Sequence, residues 1–147
     1  MLPKFGPTGK LPKGVHYATW AELEQRLGFS FTRTQLLQGL LAGCKVLKAA
    51  GVGKVYVDGS FATRTRIPND FDCCYDLDGV DFSSLPAPMK DVTPPREAQK
   101  KMFGGEFIPA NFIAKPGAPP EPYLTFFQHD RNDNPKGIVA LDLDTLP

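Results

Sequence analysis

Lys54 to Leu77 reads KVYVDGSFATRTRIPNDFDCCYDL, and the order of its parts decides how the rest of the chain is read. KVYVD, Lys54 to Asp58, is a β-branched and aromatic run that stops at Gly59-Ser60, as a strand entering a tight turn does. A polar loop of nine residues follows and is closed by Pro68-Asn69. DFDCCYDL, Asp70 to Leu77, then alternates as a second strand, so the whole stretch is a hairpin-like unit with a long turn. Neighbouring side chains on a strand face opposite ways, which sends Asp70 and Asp72 to one side and Phe71 and Cys73 to the other. At a rise of ~3.3 Å per residue the two carboxylates sit roughly 7 Å apart along the strand. They can share one or two Mg2+ ions, because magnesium joins one or two protein carboxylates to substrate phosphates. Gly59 lets backbone approach a phosphate, and Ser60 adds a hydroxyl and an amide donor.

Upstream, Thr19 and Glu22 have capping-box spacing, and Trp20, Leu23 and Leu27 recur at helical intervals until Gly28. From Arg33 to Ala50, Leu36, Leu37, Leu40, Leu41, Cys44 and Leu47 trace a second helical stripe, ended by Gly51. Downstream, Pro86 to Pro95 reads as irregular, and Arg96 to Met102 as a short helix begun by Pro94-Pro95. Glu106 to Phe112 reads as a third strand that Pro109 confines to an edge or a bulge. Lys115 to Pro122 reads as an extended linker. Leu124 to His129 and Gly137 to Leu143 are two apolar runs across a polar Asp- and Asn-rich turn, the pattern of a C-terminal β-hairpin. The first eighteen residues carry three prolines and three glycines, which disfavours helix and strand alike. The expected fold is α+β: a small mixed sheet with helices on one face, proline-rich irregular segments, an extended segment over residues 1–18 and one domain over 19–147.

The totals agree with one domain. The chain has 147 residues, 41% hydrophobic and 22% charged, which suits a globular protein. Its net charge of +1 gives no whole-molecule field toward nucleic acid or an acidic membrane. Cys44, Cys73 and Cys74 fit neither a disulfide framework nor a zinc spacing and read as reduced thiols. MLPKFGPTGKLPKG lacks the apolar run of a secretory signal, and no stretch reaches the ~20 apolar residues of a membrane helix, so a cytoplasmic location is expected.

The Gly-Ser turn followed by Asp-x-Asp on the neighbouring strand resembles the signature of the DNA polymerase beta nucleotidyltransferase superfamily. Through VYVDGSF (Val55 to Phe61) and PNDFD (Pro68 to Asp72), the chain resembles a bacterial and phage branch near the minimal nucleotidyltransferases. The resemblance extends through GVHYATWAELEQRLG, FGGEFIPA and FFQHDRNDNPKGIVALDL, and so covers most of the chain. It implies Mg2+, with Mn2+ as a substitute, held by Asp70 and Asp72, and triphosphate held by Gly59 and Ser60. It also implies a third carboxylate from a later strand that helps bind metal and activates the acceptor hydroxyl. Glu106 is the candidate, with Asp76, Asp78 and Asp81 as competitors. The implied reaction moves a nucleoside monophosphate from a nucleoside triphosphate to a hydroxyl of a protein or RNA acceptor, in a toxin-antitoxin or phage-conflict setting. An inactive module of the same fold that binds a protein or nucleotide is the alternative from another class.

Other residues carry two readings each. Arg64 and Arg66 lie in the loop over the phosphate site and either neutralise a triphosphate or are solvated loop charges. Arg96, Lys100 and Lys101 form either a basic patch, which with Arg64 and Arg66 could hold RNA, or a solvent-facing helix edge. Lys136 stays undecided. Cys74 shares the face of Asp70 and Asp72, where packing suits a soft thiol better than magnesium does. His16 and His129 form no ligand pair. Tyr123, Phe126 and Phe127 either stack a base or belong to the core.

Overall fold

Five strands build one mixed sheet in the computed structural model, which describes residues 1–147. In chain order the elements are β1 (Gly14–Ala18), α1 (Trp20–Leu27), α2 (Phe31–Ala49), β2 (Lys54–Asp58), β3 (Phe71–Tyr75) and α3 (Glu97–Phe103). They continue with β4 (Gly105–Pro109), β5 (Ile113–Lys115), β6 (Glu121–Pro122), α4 (Tyr123–Phe126) and β7 (Gly137–Asp142). The sheet runs β1-β7-β2-β3-β4, while β5 and β6 pair separately. β2 is antiparallel to both β3 and β7, whereas β1–β7 and β3–β4 are parallel.

The alternation of β2 and β3 gives the sheet two buried faces. Val55, Val57, Cys73 and Tyr75 point into the main core, where Leu23, Leu27, Leu37, Leu40 and Leu47 of α1 and α2 meet Phe103 of α3. Tyr56 and Cys74 point the other way, into a smaller cluster with Ile108, Ile138, Ala140 and Phe127. The helices begin where their caps are. Thr19 accepts from the Glu22 amide at 3.2 Å, and Ser30 accepts from the Arg33 amide at 3.3 Å, which starts α2 two residues before the expected Arg33. All three cysteines are buried and unpaired. No helix is long and apolar enough to cross a membrane.

Three expectations are corrected. Leu124 to His129 is not a hairpin strand. Tyr123–Phe126 is a helical turn, with the Phe127 amide donating to Tyr123 O at 2.9 Å, and β7 crosses to lie between β1 and β2. A six-residue apolar run is compatible with either period, and here helical spacing lets Tyr123, Leu124 and Phe127 all face the smaller cluster. Residues 1–18 are not a segment apart from the domain. The prolines end at Pro12, leaving Gly14–Ala18 free to pair with Gly137–Leu141, while Leu2 and Leu11 are buried in the main core. The Lys115 to Pro122 linker is closed at its ends by pairing of β5 with β6. Pro109 does sit on an edge strand, β4.

Candidate functional site

The smaller cluster does not extend to the far end of its face, where β2 finishes and β3 and β4 begin. There the register places Asp58 opposite Asp72, and Asp72 opposite Glu106. Residues in register share a face, so three carboxylates line up across three strands spaced about 4.8 Å apart. Asp70, two residues before Asp72, adds a fourth. Water screens like charges this close only partly at a half-buried site, so a counter-charge or a proton must offset them. Two of the four have protein cations. Lys136 Nζ lies 2.9 Å from Asp58 Oδ1, and Glu106 is held by Arg96 Nη1 at 3.2 Å and Lys100 Nζ at 3.3 Å. The remaining ion pairs of the chain leave Asp70 and Asp72 without a cation.

The electrostatic result is concentrated on Asp72. Burial, then the charges of Asp70, Glu106 and Asp58, push its carboxyl up to about 7, with Lys136 opposing. The Asp70 carboxyl is also raised, first by burial and then by Glu106, with Lys100 opposing. Asp58 is raised by burial despite Lys136. Lys100 is held above its ordinary range, chiefly by its hydrogen bond to Glu106.

Gly59 is fixed by two constraints. Its φ of +80° and ψ of −172° lie in a region that is essentially reserved for glycine. A Cβ there would also stand 2.7 Å from Asp72 Oδ2, so the turn and the carboxylate are packed against each other. The loop beyond it is held from beneath by Arg33, fully buried in the first turn of α2. Its guanidinium donates to the carbonyls of Leu27, Ser60, Phe61, Thr63 and Thr65, and lies 4.2 Å from the Phe29 ring centroid. No carboxylate pairs with this arginine, so its charge is spent on backbone oxygens. That leaves Ser60 and Arg64 exposed on the cleft side of the loop.

The cleft over this end of the sheet has a volume of about 1130 Å³. Gly59, Ser60, Arg64, Asp70 and Asp72, all expected at the site, line it together. Arg66 does not line it: it is exposed, and its carbonyl accepts from Ser30 Oγ at 2.9 Å, which ties that part of the loop toward α2. Glu106 does not line it either, because both its oxygens are drawn aside to α3. Arg64, Arg66, Lys100 and Lys101 therefore form no common basic lining. Cys74 is fully buried in the smaller cluster, as its packing reading requires.

Several lining residues carried no sequence signal. Asp58 closes the KVYVD run, but only the strand register shows that it faces Asp72. Lys10 reaches Asp130 at 2.6 Å across 120 residues, and Gly9 O accepts from the Arg64 amide at 2.7 Å, so the N-terminal segment walls the cleft. Asn132 lines the cleft as well, together with Phe126, Phe127 and His129, which the sequence singles out, and Lys136 reaches across to Asp58.

No three His, Cys, Asp or Glu side chains are gathered here into a metal-binding group. Asp70 and Asp72 nevertheless fit a hard divalent cation, being oxygen donors, half-buried, unpaired and next to a turn whose exposed Ser60 opens onto the same cleft. One or two carboxylates suffice for Mg2+ when substrate phosphates complete its shell.

The chain belongs to DUF6932, a family of unknown function, whose profile matches residues 3–142. No curated protein and no solved structure matches it.

Proposed function

We propose that this member of a family of unknown function is a nucleotidyltransferase of the DNA polymerase beta type. The reaction joins a hydroxyl oxygen of a protein or RNA acceptor to the α-phosphorus of a nucleoside triphosphate, breaks the α–β phosphoanhydride bond and releases pyrophosphate. One observation carries this reading: a pair of uncompensated carboxylates, Asp70 and Asp72, in one cleft, with Asp72 packed against a glycine-only turn whose serine opens onto the same cleft. Asp70 and Asp72 would hold Mg2+, which when bound supplies charge stabilisation at the transferring phosphoryl group.

The chain's own groups divide the remaining work. The Ser60 amide and Oγ donate to terminal phosphate oxygens, and Arg33 keeps that turn in place by holding the carbonyls of Ser60 and Phe61. Arg64 neutralises the triphosphate from the loop side. Lys136 faces the same cleft from the β7 side while paired with Asp58. Glu106, opposite Asp72 in the sheet, is the candidate to take the acceptor proton, which requires it to exchange Arg96 or Lys100 for the substrate hydroxyl.

That last requirement favours a second reading, a module of this fold that binds nucleotide without transferring it, since the third carboxylate is locked away from the cleft. Protein incubated with Mg2+, each α-labelled triphosphate and protein or RNA acceptors separates the two. Label transfer that Asp70→Asn with Asp72→Asn abolishes is the expected outcome. Nucleotide binding with no transfer to any acceptor supports the module, and equal labelling by wild type and double variant rules out the mechanism.

A further inference from the structure

The acidic end and the turn account for a metal and a polyphosphate, but they occupy only part of the cleft. Among all the residues that line it, Phe126 and Phe127 are the only hydrophobic ones; the others are charged, polar or glycine. A charged cleft with the acidic row at one place and one aromatic patch, formed by Phe126 over Phe127, fits a ligand that carries both a polyanion and an aromatic ring.

The aromatic patch is held before any ligand arrives. Phe127 is buried in the smaller core cluster, and Tyr123 meets its ring at 5.7 Å, edge to face. Tyr123 also meets Phe126 edge-on at 6.1 Å, and its hydroxyl accepts from Arg96 Nη2 at 2.6 Å. Phe126 is 36% exposed, so its ring keeps open area toward the cleft. Lys115 Nζ lies 5.5 Å from its centroid, the distance of a cation–π contact. Asn132 lines the same cleft, and its side-chain amide makes no hydrogen bond within the chain, leaving one donor group and one acceptor free.

We propose that Phe126, backed by Phe127 and Tyr123, is the nucleobase platform of the cleft, with Asn132 presenting its amide to the edge of the base. The inference rests on the triphosphate reading of the acidic end and adds to it the part of the substrate that the carboxylates and the turn do not touch. Stacking on an aromatic side chain tolerates every base, because each has a π-face. The platform therefore sets affinity for nucleosides as a class.

Calorimetric titration in Mg2+ with each of the four nucleoside triphosphates and with inorganic tripolyphosphate tests this. Wild type should bind at least one nucleoside triphosphate about ten- to a hundredfold more tightly than tripolyphosphate. Phe126→Leu, which keeps apolar packing without the ring, and Phe126→Ala should both lose that advantage and leave tripolyphosphate affinity unchanged. Phe126→Trp should keep it. Equal affinities of wild type for tripolyphosphate and all nucleoside triphosphates, or an unaltered advantage in Phe126→Leu, overturn the base platform and leave the triphosphate reading standing. Failure of both ligand types to bind overturns the two together.

Discussion

Replacing Asp72 by Asn should make the metal-free protein more stable at neutral and alkaline pH, the reverse of what most substitutions do. Asp72 is half-buried among Asp70, Asp58 and Glu106, and burial followed by those charges lifts its carboxyl from 3.8 to about 7. Between these values the folded chain keeps a proton that the unfolded chain has already released. The contribution of this group to stability is therefore full below pH ~4, falls as pH rises, and levels off above the folded value. About three pH units at ~1.36 kcal/mol each set a ceiling of roughly 4 kcal/mol, and screening by solvent at a half-buried site brings the expectation to about 1–3 kcal/mol. Asn has nearly the same shape and carries no charge, so Asp72→Asn escapes the loss. Urea unfolding in EDTA, followed by circular dichroism at pH 4, 5.5 and 8, should show the two proteins close together at pH 4 and the variant pulling ahead toward pH 8. A variant equal to or less stable than wild type at pH 8 would refute the claim that burial and the neighbouring carboxylates disfavour the Asp72 charge. Adding Mg2+ at pH 8 should raise the melting temperature of wild type and leave the variant nearly unmoved.

Gly59→Ala should cost about 2–3 kcal/mol, because it combines a glycine-only backbone with a Cβ 2.7 Å from Asp72 Oδ2. Gly79→Ala, at a φ of +74° with nothing within 4 Å of the added methyl, should cost only about 1–2 kcal/mol and keep Mg2+ affinity; unfolding midpoints and Mg2+ titration compare the pair. Arg33→Met should lower stability by about 3–5 kcal/mol, since it strips the buried donors from the carbonyls of residues 60–65. Limited proteolysis should then cut that loop first; protection equal to wild type would mean that the loop stands without its clamp.

What the sequence made legible was local. The β-branched KVYVD run, the alternation of DFDCCY and the stripe of α2 each satisfy one period, and a period is visible in a short window. The same alternation put Asp70 and Asp72 together; Asp70 stands just before β3, and both line one cleft with Gly59 and Ser60. The rest depended on register and distance. Asp58 joins the acidic row only because β2 and β3 align it with Asp72, and Lys136 meets it from 78 positions later in the chain. Glu106 does stand at the start of a strand, but its register opposite Asp72, and the Arg96 and Lys100 cations that turn its carboxylate aside, depend on the packing of β4 and α3. The C-terminal hairpin failed because YLTFFQ has no unique period, and β1 was hidden by the prolines just before it. Arg33 looked like an ordinary first-turn arginine, since nothing in its neighbours announces the carbonyls of a loop some thirty residues away.

The central claim, that Asp70 and Asp72 hold a divalent cation beside the Gly59–Ser60 turn, is most directly tested by crystallising the protein with Mn2+ and a non-hydrolysable nucleoside triphosphate. A manganese anomalous peak bound by oxygens of both aspartates, with phosphate oxygens on Ser60, is the expected result. A peak bound elsewhere, or triphosphate seated away from Ser60 with the two aspartates bare, would contradict it.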